Sequence, residues 1–294
     1  MIDFLAYVTW TVDPVAFTLE PLEIRWYSIF LLVGFALAFF TLSREFKLEK
    51  VPPIIMDNFG FYTILWTLVG LRIGHFLFYE RSYFIEAPLQ ILLPFDKDWN
   101  FIGYQGLASH GGVIAIILYV SYFSWKHKIN IFWLLDRVAV AVMIAAAFVR
   151  VGNLMNHEIV GSITEVDWAF NFTLGGYGVA DTLRHPAQLY EAVVYLFTYF
   201  GLVFYYFRMA KGDVSPGRIT GILLIVVFLA RFIIEFFKEV QVAKEAAMRL
   251  DIGQILSIPF VLLGIGLLIY SIINRNNIPH YDPSKDPSLK KGNS

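Results

Sequence analysis

The chain has 294 residues, of which 57% are hydrophobic, 17% aromatic and 16% charged; its mean hydropathy is positive, too apolar for an ordinary soluble domain of this size. A formal net charge of -1 gives a nucleic-acid role no electrostatic support, and the absence of cysteine removes disulfides, thiolate metal sites and a cysteine nucleophile. An all-α polytopic membrane protein is expected, because lipid offers no water to backbone groups and the apolar runs are continuous rather than alternating.

The N-terminus carries Asp3 and Asp13 rather than a basic region, and no small-residue cleavage site follows, so the first apolar segment is expected to stay in the membrane. Seven spans are expected, over 24–42, 56–79, 107–125, 131–150, 189–207, 219–237 and 252–274, each near the roughly 20 residues needed to cross. The second, fourth and sixth contain Arg72, Asp136 with Arg137, and Arg231 with Glu235. Such residues are costly in hydrocarbon unless they lie near an end or face a polar interior. Behind one membrane-embedded domain, 1–273, the polar stretch 274–294 with Pro279, Pro283 and Pro287 reads as a cytoplasmic tail. No internal repeat stands out.

Alternate connections hold Arg44, Lys47 and Lys50; Lys126 and Lys128; Arg208, Lys211 and Arg218; and, in the tail, Arg275, Lys285, Lys290 and Lys291. These twelve cations mark the cytoplasmic side, placing the N-terminus outside and the C-terminus inside. With that topology Tyr27, Arg72, His75, His110, Arg150, Asn153, Gln188, Glu191, Arg231 and Glu235 all fall toward the outer side. Structural accidents would scatter between the two leaflets, so a polar, outward-opening cavity is expected. Its permanent cations, Arg150 and Arg231, suit a phosphate or carboxylate, and His110 suits proton transfer near neutrality. Gly111 and Gly112 would let a ligand or another helix approach closely.

Each of these residues also has a plainer reading. Arg150 could snorkel as an interfacial anchor. Asn153, Asn156 and Glu158 could form a helix-terminus network, and Arg231 with Glu235 an intrahelical ion pair. Pro186 and Glu191 suit a helix start, and Asp136 with Arg137 an inner-interface pair. His157, Glu158 and His185 lack metal-ligand spacing, so no metal is expected.

The polar residues sit in recognisable blocks: Ile24-Arg25-Trp26-Tyr27, Gly70-Leu71-Arg72-Ile73-Gly74, Ser109-His110-Gly111-Gly112, Arg150 through Gly161, His185-Pro186-Ala187-Gln188-Leu189-Tyr190-Glu191, Arg231-Phe232-Ile233-Ile234-Glu235-Phe236, and Gly253-Gln254-Ile255-Leu256-Ser257. In this order they resemble the bacterial phosphatidylglycerol:prolipoprotein diacylglyceryl transferases. The chain departs from the family pattern at Val149, where glycine is usual, at Val227, where tyrosine is frequent, and at Ala139, where proline is common.

The resemblance implies transfer of a diacylglyceryl group from phosphatidylglycerol to the lipobox cysteine of a preprolipoprotein at the bacterial cytoplasmic membrane, releasing glycerol phosphate. It implies His110 as base toward the incoming thiol, and Arg150 and Arg231 as the pair that stabilises the leaving phosphate. Asn153, Glu158 and Gly161 belong to the same functional segment, Tyr27 borders the cavity and Glu235 orients Arg231. The partners are then phosphatidylglycerol, the prolipoprotein signal-peptide region and the bilayer, with no cofactor or metal. The rival readings are a transporter for an anionic lipid, which commonly shows inverted repeats and broken helices, and a seven-span receptor, which needs no such set of buried cations.

Overall fold

The computed structural model describes residues 7–20, 22–100, 106–176, 178–239 and 250–290. Asp3, Lys291 and most of the 238–251 connection lie outside them. The described chain runs β1 (Tyr7–Trp10), β2 (Val15–Leu19), β3 (Leu22–Arg25), α1 (Trp26–Leu48), α2 (Pro53–Phe78), α3 (Tyr83–Glu86), α4 (Ser109–His127) and α5 (Ile131–Met155). It continues with β4 (Ala169–Phe172), β5 (Leu183–Arg184), α6 (Ala187–Phe204), α7 (Arg218–Ile234), α8 (Ile252–Ile273) and α9 (Pro287–Lys290). A π-helical turn, Tyr205–Ala210, prolongs α6, and a 3-10 turn, Glu235–Phe237, prolongs α7.

Among the described residues six helices are long and apolar enough to cross a membrane: α1, α2, α5, α6 with its π turn, α7 with its 3-10 turn, and α8. The third expected span is also a helix, α4, but its first turn is Ser-His-Gly-Gly and its last carries Trp125, Lys126 and His127, which shortens the apolar stretch. The helix ends follow local chemistry. Pro53 opens α2, the Asn130 side chain accepts the amides of Phe132 and Trp133 at the start of α5, and Asp251 with Gln254 forms a capping box on α8.

The expectation of an all-α chain needs one addition, five short strands among the described residues. β1 pairs in parallel with β4, which pairs antiparallel with β5, and β2–β3 form a separate hairpin. All lie outside the long helices; β1, β2 and β4 are four or five residues rich in Tyr, Val, Thr, Trp and Phe, types that pair readily, and β5 is only two residues long.

The chain divides into two compact units, one of residues 1–45 with 136–279, the other of 46–135 with 280–294. In the first, α7 packs on α8 through Gly221 and Gly264: a Cβ on either would sit 2.9 Å from the other's carbonyl oxygen. Within lipid, close packing of this kind rather than hydrophobic transfer drives helix association. Phe228 and Phe260 stack beside it at 4.3 Å. Asp136, expected at an interface, is fully buried. Its carboxylate accepts the Gly217 amide at 2.8 Å and the Thr220 amide and hydroxyl at 2.9 and 2.8 Å, so it caps α7. Arg137 is buried too, donating to the Gly212 carbonyl at 3.3 Å with its guanidinium over Tyr206.

In the second unit Gly70 and Gly74 of α2 meet Gly111 of α4 backbone to backbone, leaving no room for a Cβ. Of the two uses expected for Gly111, approach of another helix is the one present here. Arg72 is buried and donates to the carbonyls of Ile91, Gln90 and Leu93 at 3.0 to 3.2 Å, so it pins the 88–93 segment.

The segment 280–290 folds back onto this unit. Asp286 is fully buried and accepts from Tyr281 at 3.0 Å and Ser288 at 2.7 Å, with His127 Nδ1 at 3.0 Å. Burial alone would raise the Asp286 carboxyl, but these bonds outweigh it and hold the group below its ordinary range.

Candidate active site

The stretch from Arg150 to Gly161 leaves the end of α5 and turns sharply. His157 and Ile159 adopt left-handed backbone, φ 54° and 57°, a costly conformation for such residues that surrounding bonds must hold. The Trp10 indole donates to the Leu154 carbonyl at 3.0 Å. His157, buried, reaches the Val12 carbonyl through Nε2 at 2.8 Å, so that nitrogen carries the proton. The Gln188 amide donates to the Glu158 carbonyl at 2.6 Å, tying the turn to the start of α6.

Held in this way, the side chains form a relay. Arg150 Nη1 donates to Asn153 Oδ1 at 3.3 Å, and Asn153 Nδ2 donates to Glu158 Oε1 at 2.8 Å. Asn156 Nδ2 donates to the same Glu158 oxygen at 3.2 Å. Tyr27 packs on Gly152, where an added Cβ would lie 2.8 Å from its ring, and its hydroxyl feels the charges of both Glu158 and Arg150.

The centre of the cluster is Glu191, in the second turn of α6 and 1% exposed. Arg150 Nε pairs with its Oε2, and Lys238 Nζ with its Oε1 at 2.6 Å. Arg231 also lies within electrostatic reach of it, and so does Tyr195, one turn along α6. A buried carboxylate held by two cations is costly to disturb from either side.

Among the described residues Arg231 has no ion pair of its own. The pair expected between Arg231 and Glu235 is not made; Glu235 instead meets Lys238 Nζ at 3.4 Å, and its carboxylate lies against Gly253 in the first turn of α8, where a side chain would collide with it. That position lets the helix N-terminus favour its charge.

Lys238 is aimed by backbone. Gly161 bridges Lys238 in antiparallel fashion, and its amide donates to the His185 carbonyl at 2.8 Å. Arg184, buried, donates to the Gly161 carbonyl at 3.1 Å and pairs with Glu239 at 2.9 Å. Burial pushes the neighbouring His185 imidazole below its ordinary range. A Cβ on Gly161 would lie 2.5 Å from the Phe237 carbonyl oxygen and 2.6 Å from that of His185, so only glycine fits. Gly161→Ala should therefore cost about 1–3 kcal/mol, the range for overpacking, and displace Lys238 from Glu191. A thermal midpoint in detergent micelles equal to wild type would contradict this.

Seven of the eight sequence-derived site residues thus lie in the first unit, on segments joined through Glu191 and Lys238. The eighth, His110, belongs to the second unit. It is exposed in the first turn of α4, with its ring 6.5 Å from that of Phe78. No group of three or more His, Asp or Glu able to hold a metal occurs among the described residues.

The sequence was also compared with known proteins. The sequence model described as prolipoprotein diacylglyceryl transferase matches residues 14–270. The chain belongs to this family. Among curated relatives, the phosphatidylglycerol--prolipoprotein diacylglyceryl transferase of Tolumonas auensis is 40% identical, over 89% of this chain and 96% of its own length. The protein of the same name from Chloroherpeton thalassium is 37% identical over 92% and 96%, and that of Bacteroides fragilis 36% identical over 92% and 97%. Membership of this transferase family makes the chain an enzyme of lipoprotein biosynthesis and accords with its apolar helices. The Arg150–Asn153–Glu158 relay and the buried Glu191 all fall inside the matched region.

Proposed function

We propose that this protein transfers the sn-1,2-diacylglyceryl group of phosphatidylglycerol to the lipobox cysteine of preprolipoproteins, the first step of bacterial lipoprotein maturation. The observation that carries the reading is a family match across nearly the whole chain together with relatives named for this activity. The geometry supports it through the Arg150 relay and through Arg231, which is in electrostatic reach of Glu191 and has no ion pair among the described residues.

In this reading the cysteine thiol gives its proton to His110, and the thiolate sulfur attacks the glyceryl carbon that bears the phosphate ester. That carbon–oxygen bond breaks, its electron pair leaves with the oxygen, and the products are a thioether and glycerol phosphate. Arg150 and Arg231 meet the charge that grows on the leaving phosphate. Asn153 and Glu158 fix the Arg150 fork, while Gly161 and Glu235 place Lys238 and so the Glu191 carboxylate. Tyr27 borders the donor lipid. The lipid is already an activated donor, so the reaction calls for no cofactor or metal.

The topology that goes with it has seven spans, α4 included, N-terminus outside and C-terminus inside. One membrane domain, 1–273, precedes a cytoplasmic tail, 274–294. The site faces the outer leaflet of the bacterial inner membrane. Purified protein mixed with phosphatidylglycerol and a lipobox peptide should add a diacylglyceryl mass to the cysteine and release glycerol phosphate. Movement of the lipid between leaflets with no modified peptide would replace the enzyme reading with a transporter.

A further inference from the structure

A second site lies at the other end of α6. Glu191 and Arg208 are both on this element, seventeen positions apart in the sequence, so at 1.5 Å per residue they are separated by about 25 Å, nearly the thickness of the hydrocarbon core. Around Arg208 a cavity of about 590 Å³ opens between α1 and α6. Each helix lines it in the same way: Phe40 precedes Arg44 by one turn on α1, and Phe204 precedes Arg208 by one turn on α6. Phe200 extends the apolar wall one turn deeper. The Thr41 and Tyr199 hydroxyls bond at 2.8 Å and hold the two helices together at its floor.

The three phenylalanines are about 60% exposed on spanning helices, so they face hydrocarbon. Neither arginine has an ion pair among the described residues; Arg44 rests only on the Phe40 ring, 5.7 Å from its centroid. The π-helical turn that carries Arg208 departs from regular helix at this point, as such turns often do at functional sites.

A free anion would be served by the arginines but has no use for the apolar wall. A second copy of the chain would have to bury two unpaired guanidinium groups, which is costly. An acidic phospholipid satisfies both parts. We infer that this groove binds an acidic phospholipid of the leaflet opposite the Glu191 cluster, with its phosphate between Arg44 and Arg208 and an acyl chain along Phe40, Phe204 and Phe200.

The test uses the full chain in phosphatidylcholine vesicles carrying a trace of phosphatidylserine or phosphatidylcholine with a photoreactive acyl chain. Phosphatidylserine is chosen because it is not the donor in the proposed reaction. It should label the peptides that span Phe40–Arg44 and Phe200–Arg208 at least about fivefold more than phosphatidylcholine, the scale of one headgroup-level cation. The excess should vanish in an Arg44→Gln, Arg208→Gln double variant and survive in the corresponding double lysine variant. Should the glutamine pair fail to fold, each single substitution must lower the excess. Equal labelling by the two lipids would overturn the inference, as would an excess that survives loss of both arginines. Crosslinks between copies in place of lipid adducts would assign the groove to a dimer and sink the inference.

Discussion

Replacing Glu191 by alanine should destabilise the protein by about 3–5 kcal/mol, the range for breaking a buried ion pair from one side, and should end transfer as well. The carboxylate is 1% exposed and is shared by Arg150 and Lys238, with Arg231 in electrostatic reach. Its loss leaves two cations facing each other with no compensating charge, in a setting where lipid and packed helices screen little. Glu191→Gln keeps the shape and one acceptor but removes the charge, so it should fall between wild type and alanine. Arg150→Ala leaves Glu191 still paired with Lys238, so it should cost less than Glu191→Ala. The two substitutions combined should cost less than their sum, because they share one interaction. Thermal unfolding of the wild type and the four variants in micelles gives this order directly. A Glu191→Ala midpoint equal to that of wild type would remove Glu191 from the centre of the site.

Six of the seven expected spans were legible in the sequence because continuous apolar runs report directly on lipid; the expected third, 107–125, is a helix but is not among the six long and apolar enough to cross. The fourth expected span, 131–150, begins with α5 at Ile131, where Asn130 caps the helix. The first, 24–42, ends short of Leu48 because Ser43, Arg44 and Glu45 look like a boundary in sequence. Glu45 is nonetheless fully buried in the helix. The strands escaped notice because runs of two to five residues are too short to carry a periodic signal.

For the site, Arg150, Asn153 and Glu158 could be read together because their contacts span only a few residues along one turn. Glu191 was visible as a carboxylate early in an apolar helix, but a helix-start role accounts for such a residue equally well. Lys238 gave no signal at all: its partner lies on another helix, and the bridge from Gly161 that aims it forms only in the folded chain. Arg72 shows the opposite case. Its depth suggested a polar cavity, whereas its guanidinium is occupied with the carbonyls of Gln90, Ile91 and Leu93.

Arg150→Ala should lower transfer by at least about 10²–10³-fold, the cost of losing one donor aimed at a developing anion, while the protein still accumulates in the membrane. His110→Asn should abolish transfer under the same condition, because asparagine fits the first turn of α4 but takes no proton near neutrality. The two should differ in how they fail. Without Arg150 the phosphate loses its clamp, so raising the pH to ionise more thiol should not restore the reaction. Without His110 the thiol lacks only a base, and the rate of any residual transfer should climb toward the thiol pKa near 8.5. Arg150→Lys separates charge from shape. A lysine cannot reach Glu191 and Asn153 together, as Nε and Nη1 do now, so it should restore stability more than activity. Near-normal lipidation of a reporter prolipoprotein by Arg150→Lys would show that a point charge suffices and that the Asn153–Glu158 relay has no part in orienting it.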